Sequence, residues 1–428
     1  MDLRVSLVVL LLSNLAMVCG EDAESISPED AVIQLFNGIQ ANEGFDSVPS
    51  SGKILIQSEG AEVYIRRFEL HPLDKRWTFD TSKLKPFWLS PTMEGESVLF
   101  IEDGAAAQPK AAVLFQPTKI LSVGSSSGEV VYTEGRDYVW HPGTKEVTLP
   151  AGSRIPFKTP QDLRRPAGSQ PYTLTHRDGN GEILFGGGHE YHDMQTLITY
   201  EHDPSAWAGP VPAFAGDQLP RTIRKLKEQQ PLTMTLLGDS ISTGCNASGW
   251  TKTPPFQPPY HELLALNLEA AYGAKISLKN YAVSGTDSAW GLANIGKVID
   301  ADPDLVIMAF GMNDDAGGVS ASQYWTNIKA MIDAVRKAKP EAEFILVATM
   351  LGNKDWTTLH QELFPQYRDA LAQLGGDGIA LADMTSIWAE LLKHKEDRDM
   401  TGNGVNHPND FGHRIYAQVL STLLIRNP

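Results

Sequence analysis

The sequence predicts two folded parts: an all-β sandwich of the jelly-roll kind, followed by a three-layer α/β/α domain built on a parallel sheet. Two observations carry this fold class. Short runs rich in β-branched and aromatic residues recur between turn signals before position 203, whereas strands and helices alternate after position 220. Residues 203–220, which join the two parts, are rich in proline and form the predicted linker.

The first twenty residues have the pattern of a secretory signal peptide. An apolar run follows Arg4, and the small residue Gly20 precedes an acidic segment. The run is shorter than the roughly 20 apolar residues that a membrane-spanning helix needs. We therefore expect cleavage after Gly20 and a secreted or periplasmic protein that is not attached to the membrane. A buried N-terminal helix and a lipoprotein anchored at Cys19 are the alternatives.

The all-β part is predicted over residues 21–202. Short strands at this spacing, without helical periods, are typical of a β-sandwich or jelly roll. A hairpin turn is expected at residues 178–181, where Gly and Asn tolerate the positive φ of tight turns. The candidate strands are 54–57, 62–68, 98–101, 111–115, 129–133, 138–141, 146–149, 182–185 and 197–200.

The α/β part is predicted over residues 221–428. Nearly continuous apolar strands such as 305–310 indicate a parallel sheet that is buried on both faces. The candidate strands are 234–237, 276–281, 305–310, 344–348 and 379–381, and the candidate helices are 260–272, 291–300, 322–338, 359–374, 385–393 and 411–425.

Charge and cysteine content exclude several classes of protein. The 428 residues hold 36 Lys and Arg against 52 Asp and Glu, a net charge of −16. Binding to nucleic acid or to an anionic membrane needs clustered cations, so neither partner is expected. Of the two cysteines only Cys245 remains after signal removal, which leaves no internal disulfide. The two His and two acids within 186–193 match no metal-ligand spacing, so we expect a loop there, with no metal and no cofactor.

Polar residues follow the predicted strands at the places where a parallel sheet presents its reactive groups. Gly-Asp-Ser at 238–240 follows the first strand, Gly285 the second and Asn313 the third, while His407 precedes the last helix. Glycine lets a backbone N–H approach a reacting centre, and an Asn amide can donate to a developing oxyanion.

These four blocks, in this order, resemble the SGNH (GDSL) hydrolase family over about residues 233–425. The chain is similar in particular to two-domain carbohydrate esterases in which a jelly roll precedes the catalytic domain. The resemblance implies Ser240 as nucleophile and His407 as general base. It also implies an oxyanion hole formed by the N–H groups of Ser240 and Gly285 and the side chain of Asn313.

One position departs from the family pattern, which places an Asp three residues before the catalytic His. Here that position is Gly404, and Asn403 precedes it. An Asn can hold an imidazole tautomer but cannot stabilise imidazolium by charge. Three interpretations stay open: a Ser-His dyad steadied by a backbone or amide carbonyl, a shifted loop that lets Asp399 reach the His, or an acid from elsewhere such as Asp410.

Residues 248–259 follow the nucleophile and hold four prolines that would stiffen a loop carrying Trp250 and Phe256. These rings can stack on sugar faces or plug the loop onto the core. Asn246-Ala247-Ser248 also fits a glycosylation sequon. We expect a secreted serine esterase that removes acetyl groups from a carbohydrate. The alternatives are a lipase or thioesterase of the same fold, and a glycan-binding protein with a degenerate esterase domain. The oligomeric state is not predicted.

Overall fold

The computed structural model describes residues 5–7, 70–72, 79–104, 107–169 and 174–426. The chain divides into two compact units, 1–78 and 79–428. In the first unit, β1 (Val5–Leu7) pairs antiparallel with β2 (Leu70–Pro72). The rest of the expected signal peptide and the candidate strands 54–57 and 62–68 lie outside the described residues. All of the following concerns the second unit.

The second unit begins with a β region, residues 79–202. Its strands are β3 (Thr92–Val98), β4 (Phe100–Ile101), β5 (Lys110–Ala112), β6 (Lys119–Ser125), β7 (Val139–Trp140), β8 (Glu146–Thr148), β9 (Phe157–Lys158), β10 (Arg164–Arg165), β11 (Glu182–Ile183) and β12 (Thr196–Glu201). A three-stranded antiparallel sheet has the order β3-β12-β6, and a five-stranded sheet has the order β7-β8-β5-β4-β9, in which β4 and β9 are parallel. Strands β10 and β11 pair separately.

The prediction of a β region ahead of the α/β domain is confirmed, but its details differ. Residues 129–133 form only an isolated bridge to β6, and β6 itself was not predicted because Ser122, Gly124 and Ser125 interrupt its apolar pattern. The segment expected as a loop at 186–193 contains α1 (Glu190–Met194), which is too short to show a helical period. The jelly-roll connection of the strands stays a prediction.

The α/β domain, which the structure describes over residues 220–426, confirms the predicted parallel sheet. The strands are β13 (Leu232–Gly238), β14 (Ile276–Asn280), β15 (Leu305–Ala309), β16 (Glu343–Ala348) and β17 (Ile379–Asp383). All pairs are parallel in the order β14-β13-β15-β16-β17. The helices are α2 (Pro220–Lys227), α3 (Ser240–Thr243), α4 (Ser248–Thr251), α5 (Tyr260–Tyr272), α6 (Ser288–Asn294), α7 (Gly296–Asp300), α8 (Met312–Ala316), α9 (Ala321–Ala338), α10 (Leu363–Ala372), α11 (Met384–Leu391), α12 (Asp397–Met400) and α13 (Asp410–Leu424).

Alternate side chains of each central strand pack into two separate hydrophobic cores, because successive residues of a strand point to opposite faces of the sheet. Ile307 of β15 belongs to the core that holds α5, α11 and α13. Its neighbours Val306 and Met308 belong to the core that holds α7 and α9. This arrangement explains why the strands read as continuous apolar runs, and it gives the three layers expected from the sequence.

Helix α13 is buried along its whole length. One side packs on α5 and the sheet, and the other lies against the β region, where Arg414 Nη2 donates to the carbonyls of Glu94 and Gly95 at 3.0 and 2.6 Å. The proline-rich segment is also packed, since the Ala215 N–H donates to the Leu423 carbonyl at 2.9 Å. Within the described ranges, no helix combines the length and hydropathy needed to cross a bilayer.

Candidate active site

The strand order creates a crevice at the carboxyl edge of the sheet. Strand β13 lies between β14 and β15. The chain runs from β13 to its neighbour on one side, β14, and then crosses to its neighbour on the other side, β15, so the strand order reverses at β13. Ligands of doubly wound sheets bind where the strand order reverses in this way. The loops that meet there carry Ser240 after β13, Gly285 after β14 and Asn313 after β15.

The turn between β13 and α3 fixes the position of Ser240. A Cβ on Gly238 would lie 2.5 Å from the Ala309 carbonyl oxygen, so only glycine fits between the strands here. The Asp239 carboxylate caps α3 by accepting the Ile241 N–H at 2.9 Å. Ser240 is therefore the first residue of a capped helix, and its backbone N–H has no hydrogen-bond partner among the described residues.

Ser240 and His407 are brought together from opposite ends of the domain. The distance between Ser240 Oγ and His407 Nε2 is 2.8 Å. The loop that carries the imidazole is shaped by Asn403, whose Oδ1 accepts the N–H groups of Val405, Asn406 and His407. Desolvation lowers the pKa of His407 to about 4. The imidazole is therefore neutral near pH 7 and can accept the hydroxyl proton.

The other imidazole nitrogen contacts a residue that was not a candidate from the sequence. His407 Nδ1 lies 2.8 Å from Oδ1 of Asn246, which is buried between α3 and α4. The sequence offered only a sequon at this position. Because Asn246 is 5% exposed and its amide is fully engaged, the folded protein does not present it to a glycosylating enzyme.

None of the three orienting candidates from the sequence hydrogen-bonds the imidazole. Asn403 holds backbone N–H groups and donates to Asn406 Oδ1 at 2.9 Å. Asp399 accepts the N–H groups of Leu99 and Glu396. Asp410 accepts the Ser248 N–H at 2.8 Å. None of the three therefore contacts the imidazole in the structure, and the group that does is the amide oxygen of Asn246.

The position of the missing family Asp is closed by the β region. Gly404 has φ of +78°, and a Cβ there would lie 2.2 Å from Tyr191 Oη and 2.8 Å from the Leu184 carbonyl oxygen. The Tyr191 hydroxyl donates to that same carbonyl at 2.9 Å. A side chain at position 404 would collide with both groups, so an acid cannot be supplied from there without moving the β region.

Two further N–H donors, on Asn313 and Gly285, border the site. Asn313 Nδ2 donates to the Thr286 carbonyl at 2.8 Å, which anchors the amide and leaves its second proton without a partner among the described residues. The Gly285 N–H is likewise unpaired in the described part of the chain, at a residue with φ of +79°. Its loop is attached to the turn that carries Ser240, because the Val283 N–H donates to the Gly238 carbonyl at 3.0 Å. Such donors can stabilise a tetrahedral oxyanion.

Replacement of Asn313 with Ala is expected to lower kcat for ester hydrolysis about 100- to 1000-fold, the usual effect of losing one oxyanion donor. KM should change little, since the oxyanion exists only in the transition state. Steady-state kinetics on p-nitrophenyl acetate measure both constants. Asn327→Ala removes a buried amide that donates to Ser288 Oγ instead and serves as the control. A loss of less than tenfold for the Asn313 variant would remove Asn313 from the oxyanion hole.

The loop expected to bear substrate-contacting rings is held rigidly. Gln257 fastens it, with its N–H donating to Ser248 Oγ and its Nε2 to the Asp410 carbonyl, both at 2.7 Å. Trp250 is 44% exposed, and its Cδ1 lies 3.8 Å from where a Cβ on Gly244 would be, at the end of α3. Phe256 is only partly exposed. The two rings are thus presented differently, and Trp250 is the one at the surface.

Comparison with known proteins finds one family model and several solved structures. A model of the GDSL-like lipase/acylhydrolase family matches residues 236–415. No curated protein matches the sequence. Similar solved structures include a two-domain esterase active on acetylated mannans, 21% identical with a TM-score of 0.41, covering 51% of this chain and 55% of that one. This chain therefore spans about half the length of that esterase.

Two shorter proteins show a likeness of the same order. A variant of an acetyl-xylooligosaccharide esterase from Geobacillus is 19% identical with a TM-score of 0.38, covering 44% of this chain and 92% of that one. A lipase/acylhydrolase from Enterococcus faecalis is 19% identical with a TM-score of 0.35, covering 44% and 93%. The family match runs from β13 into α13 and includes Ser240, Gly285, Asn313 and His407. The α/β domain is therefore the part of this chain that matches the GDSL-like lipase/acylhydrolase family.

Proposed function

We propose that this protein is an exported serine esterase that removes acetyl groups from poly- or oligosaccharides. The observation that carries the ester-hydrolase assignment is the 2.8 Å contact between Ser240 Oγ and a neutral imidazole, beside three N–H groups that border the same crevice. This combination suits acyl transfer, which needs an activated nucleophile and a stabilised oxyanion. The expected signal peptide is the basis for export.

The first half-reaction acylates the serine. Ser240 Oγ attacks the ester carbonyl carbon while His407 Nε2 takes the hydroxyl proton. The carbonyl π electrons move to oxygen, and the resulting oxyanion accepts hydrogen bonds from the Ser240 and Gly285 N–H groups and the Asn313 amide. When the tetrahedral intermediate collapses, the bond to the alcohol oxygen breaks. His407 returns its proton to that oxygen, and the deacetylated sugar leaves.

The second half-reaction repeats the sequence with water. His407 removes a proton from water as it attacks the acyl carbon, the same donors hold the second oxyanion, and acetic acid leaves as Ser240 Oγ is reprotonated. His407 therefore acts as base and then as acid in each half-reaction. Its low pKa leaves the base form in excess at neutral pH.

The carbohydrate assignment is supported by the loop at 248–259. Trp250 presents an exposed indole beside α3, and residues 248–259 around it are polar, proline, glycine or aromatic, with no aliphatic side chain. A flat aromatic ring with polar surroundings suits the face of a sugar, which is itself partly apolar. The net charge of −16 favours a neutral glycan over an anionic one.

Acetate release is expected from acetylated polysaccharides, with p-nitrophenyl esters hydrolysed faster when the acyl chain is acetyl than when it is octanoyl. The measurement is a screen of neutral and anionic acetylated polysaccharides together with the two chromogenic esters. Faster turnover of the octanoyl ester would contradict the acetyl preference and favour a lipase or thioesterase. Turnover of no ester, combined with retained binding to a glycan, would instead favour a glycan-binding protein.

A further inference from the structure

Asn246 occupies an unusual backbone conformation in the connection between α3 and α4. Its φ is +62°, in the left-handed region that Asn tolerates better than most residues. The side chain is buried and reaches the imidazole of His407 at one end. A buried amide with this backbone must satisfy both of its polar ends, and the groups around it determine which end faces the imidazole.

Three backbone carbonyls surround the other end of the amide. Asn246 Nδ2 lies 2.9 Å from the Gly188 oxygen, 3.0 Å from the Gly402 oxygen and 3.4 Å from the Gly186 oxygen. Carbonyl oxygens only accept hydrogen bonds, so the NH₂ group must face them and Oδ1 must face the imidazole. An acceptor at Nδ1 requires that nitrogen to carry the proton. Nε2 is then the unprotonated nitrogen, directed at the Ser240 hydroxyl.

We propose that Asn246 is the positioning residue of this active site, and that the β region completes the site by setting the Asn246 amide through the carbonyls of Gly186 and Gly188. This inference rests on the proposed function, because it concerns how His407 is prepared as the base. Asn246 touches no reacting atom. It holds the ring in one orientation and one tautomer, and the Nδ1 proton stays on the imidazole throughout.

The same segment of the β region both holds the amide and closes the position where the family carries its acid. Gly186 and Gly188 supply the carbonyls, while Tyr191 and the Leu184 carbonyl fill the space beside Gly404. A Cβ on Gly402 would lie 2.5 Å from the Asn246 Cβ, so the loop before His407 also fits around this residue. Residues 184–191 of the β region are therefore built into the catalytic centre.

Replacement of Asn246 with Ala is expected to lower kcat about 100-fold or more with little change in KM, since the imidazole loses its orientation. Asn409→Ala is the matched control. Asn409 is also buried, and its Nδ2 donates to Ser97 Oγ, Gln195 Oε1 and the Asp399 carbonyl without touching the imidazole. Imidazole ¹⁵N NMR of the resting enzyme should show Nδ1–H in the wild type and in the control, and a mixed tautomer in Asn246→Ala. The inference would be overturned if Asn246→Ala and Asn409→Ala lost kcat equally and His407 kept the Nδ1–H tautomer in both variants.

Asn246→Asp gives a sharper test, because it restores a carboxylate at the imidazole. An ionised Asp would point its second oxygen at three carbonyls, whereas a protonated Asp can donate to one of them as the amide does. We expect the kcat of Asn246→Asp to be below that of the wild type at pH 7. The ratio of the variant's kcat to the wild-type kcat should rise as the pH falls. A variant at least as active as wild type at pH 7 would contradict the inference.

These experiments distinguish a failure of the positioning role of Asn246 from a failure of the proposed esterase function. A wild-type enzyme that hydrolyses esters, together with an Asn246→Ala variant of equal kcat, defeats only the positioning role. A wild-type protein that hydrolyses no ester defeats the proposed function, whatever the tautomer of His407. The tautomer itself is measured without substrate, so it reports on Asn246 in either case.

Discussion

Replacement of Ser240 with Ala is expected to reduce kcat for p-nitrophenyl acetate by about 10⁶-fold, since the covalent route is lost. Activity about 10³- to 10⁴-fold above the uncatalysed rate should remain, because the oxyanion donors are still present. Ser242→Ala is the matched control. Ser242 is buried two residues further on and bonds Tyr260 Oη at 2.8 Å rather than the imidazole. Its kcat should stay within tenfold of wild type.

The His407→Ala variant and the double variant extend this test. Nucleophile and base act as a unit, so each single loss should approach the loss of the double variant, and the effects should not add in free energy. Rapid-quench or steady-state assays at a single pH suffice, with circular dichroism to verify folding. A double variant whose loss equals the product of the two single losses would show that Ser240 and His407 act independently.

Replacement of Lys395 with Met is expected to lower the free energy of unfolding by about 3–5 kcal/mol, the effect of stranding a buried charge. Lys395 Nζ lies 2.5 Å from Glu96 Oε1, and both side chains are fully buried. Glu96 lies on β3 and also accepts the Leu114 N–H at 2.8 Å and the Tyr200 hydroxyl at 2.6 Å. Without the ammonium group, its carboxylate remains in the interior without a cation.

Urea unfolding followed by tryptophan fluorescence measures this effect. The double variant Glu96→Gln/Lys395→Met removes both charges and should recover part of the stability that the single variant loses. This pair joins the β region to the α/β domain, so the transition should remain a single step in the wild type. The prediction would be contradicted if the free energy of unfolding of Lys395→Met lay within about 1 kcal/mol of the wild-type value, which is a small change for a point mutant.

The α/β domain could be predicted closely because its pattern is strong. Helix α5 begins and ends where its periodicity and the following Gly273 indicate, and the central strands lie within one or two residues of the apolar runs. Short elements such as α3, α4 and α8 escaped prediction, because four or five residues show no period. In the β region the strands are short and interrupted by small polar residues, so their boundaries were less accurate.

The strand pattern alone could place only the site residues that follow a strand, whereas His407 was assigned through the resemblance to the SGNH family. Ser240, Gly285 and Asn313 could be placed because parallel strands end at one edge of a sheet. The role of Asn246 had no such signal. It depends on carbonyls of Gly186 and Gly188, about 60 residues earlier in the chain, and backbone carbonyls leave no mark in a sequence. The closing of position 404 by Tyr191 likewise requires knowing how the two parts pack.

The β region makes three kinds of contact that support the α/β domain. It buries the outer side of α13 through Arg414, carries one half of a buried ion pair at Glu96, and holds the Asn246 amide. The Asn246 amide in turn contacts both ends of the segment from Gly402 to His407. Precise placement of a base requires support from neighbouring groups, and here part of that support comes from a different layer of the protein.

Labelling with a fluorophosphonate ester tests the central claim most directly, because such a reagent reacts only with a serine that is activated and placed beside an oxyanion hole. Peptide mass spectrometry of the labelled protein should find a single adduct on Ser240. The adduct should be absent in Ser240→Ala and formed far more slowly in His407→Ala. An adduct on another serine such as Ser242 or Ser284, or no adduct on the folded wild-type protein, would contradict the account.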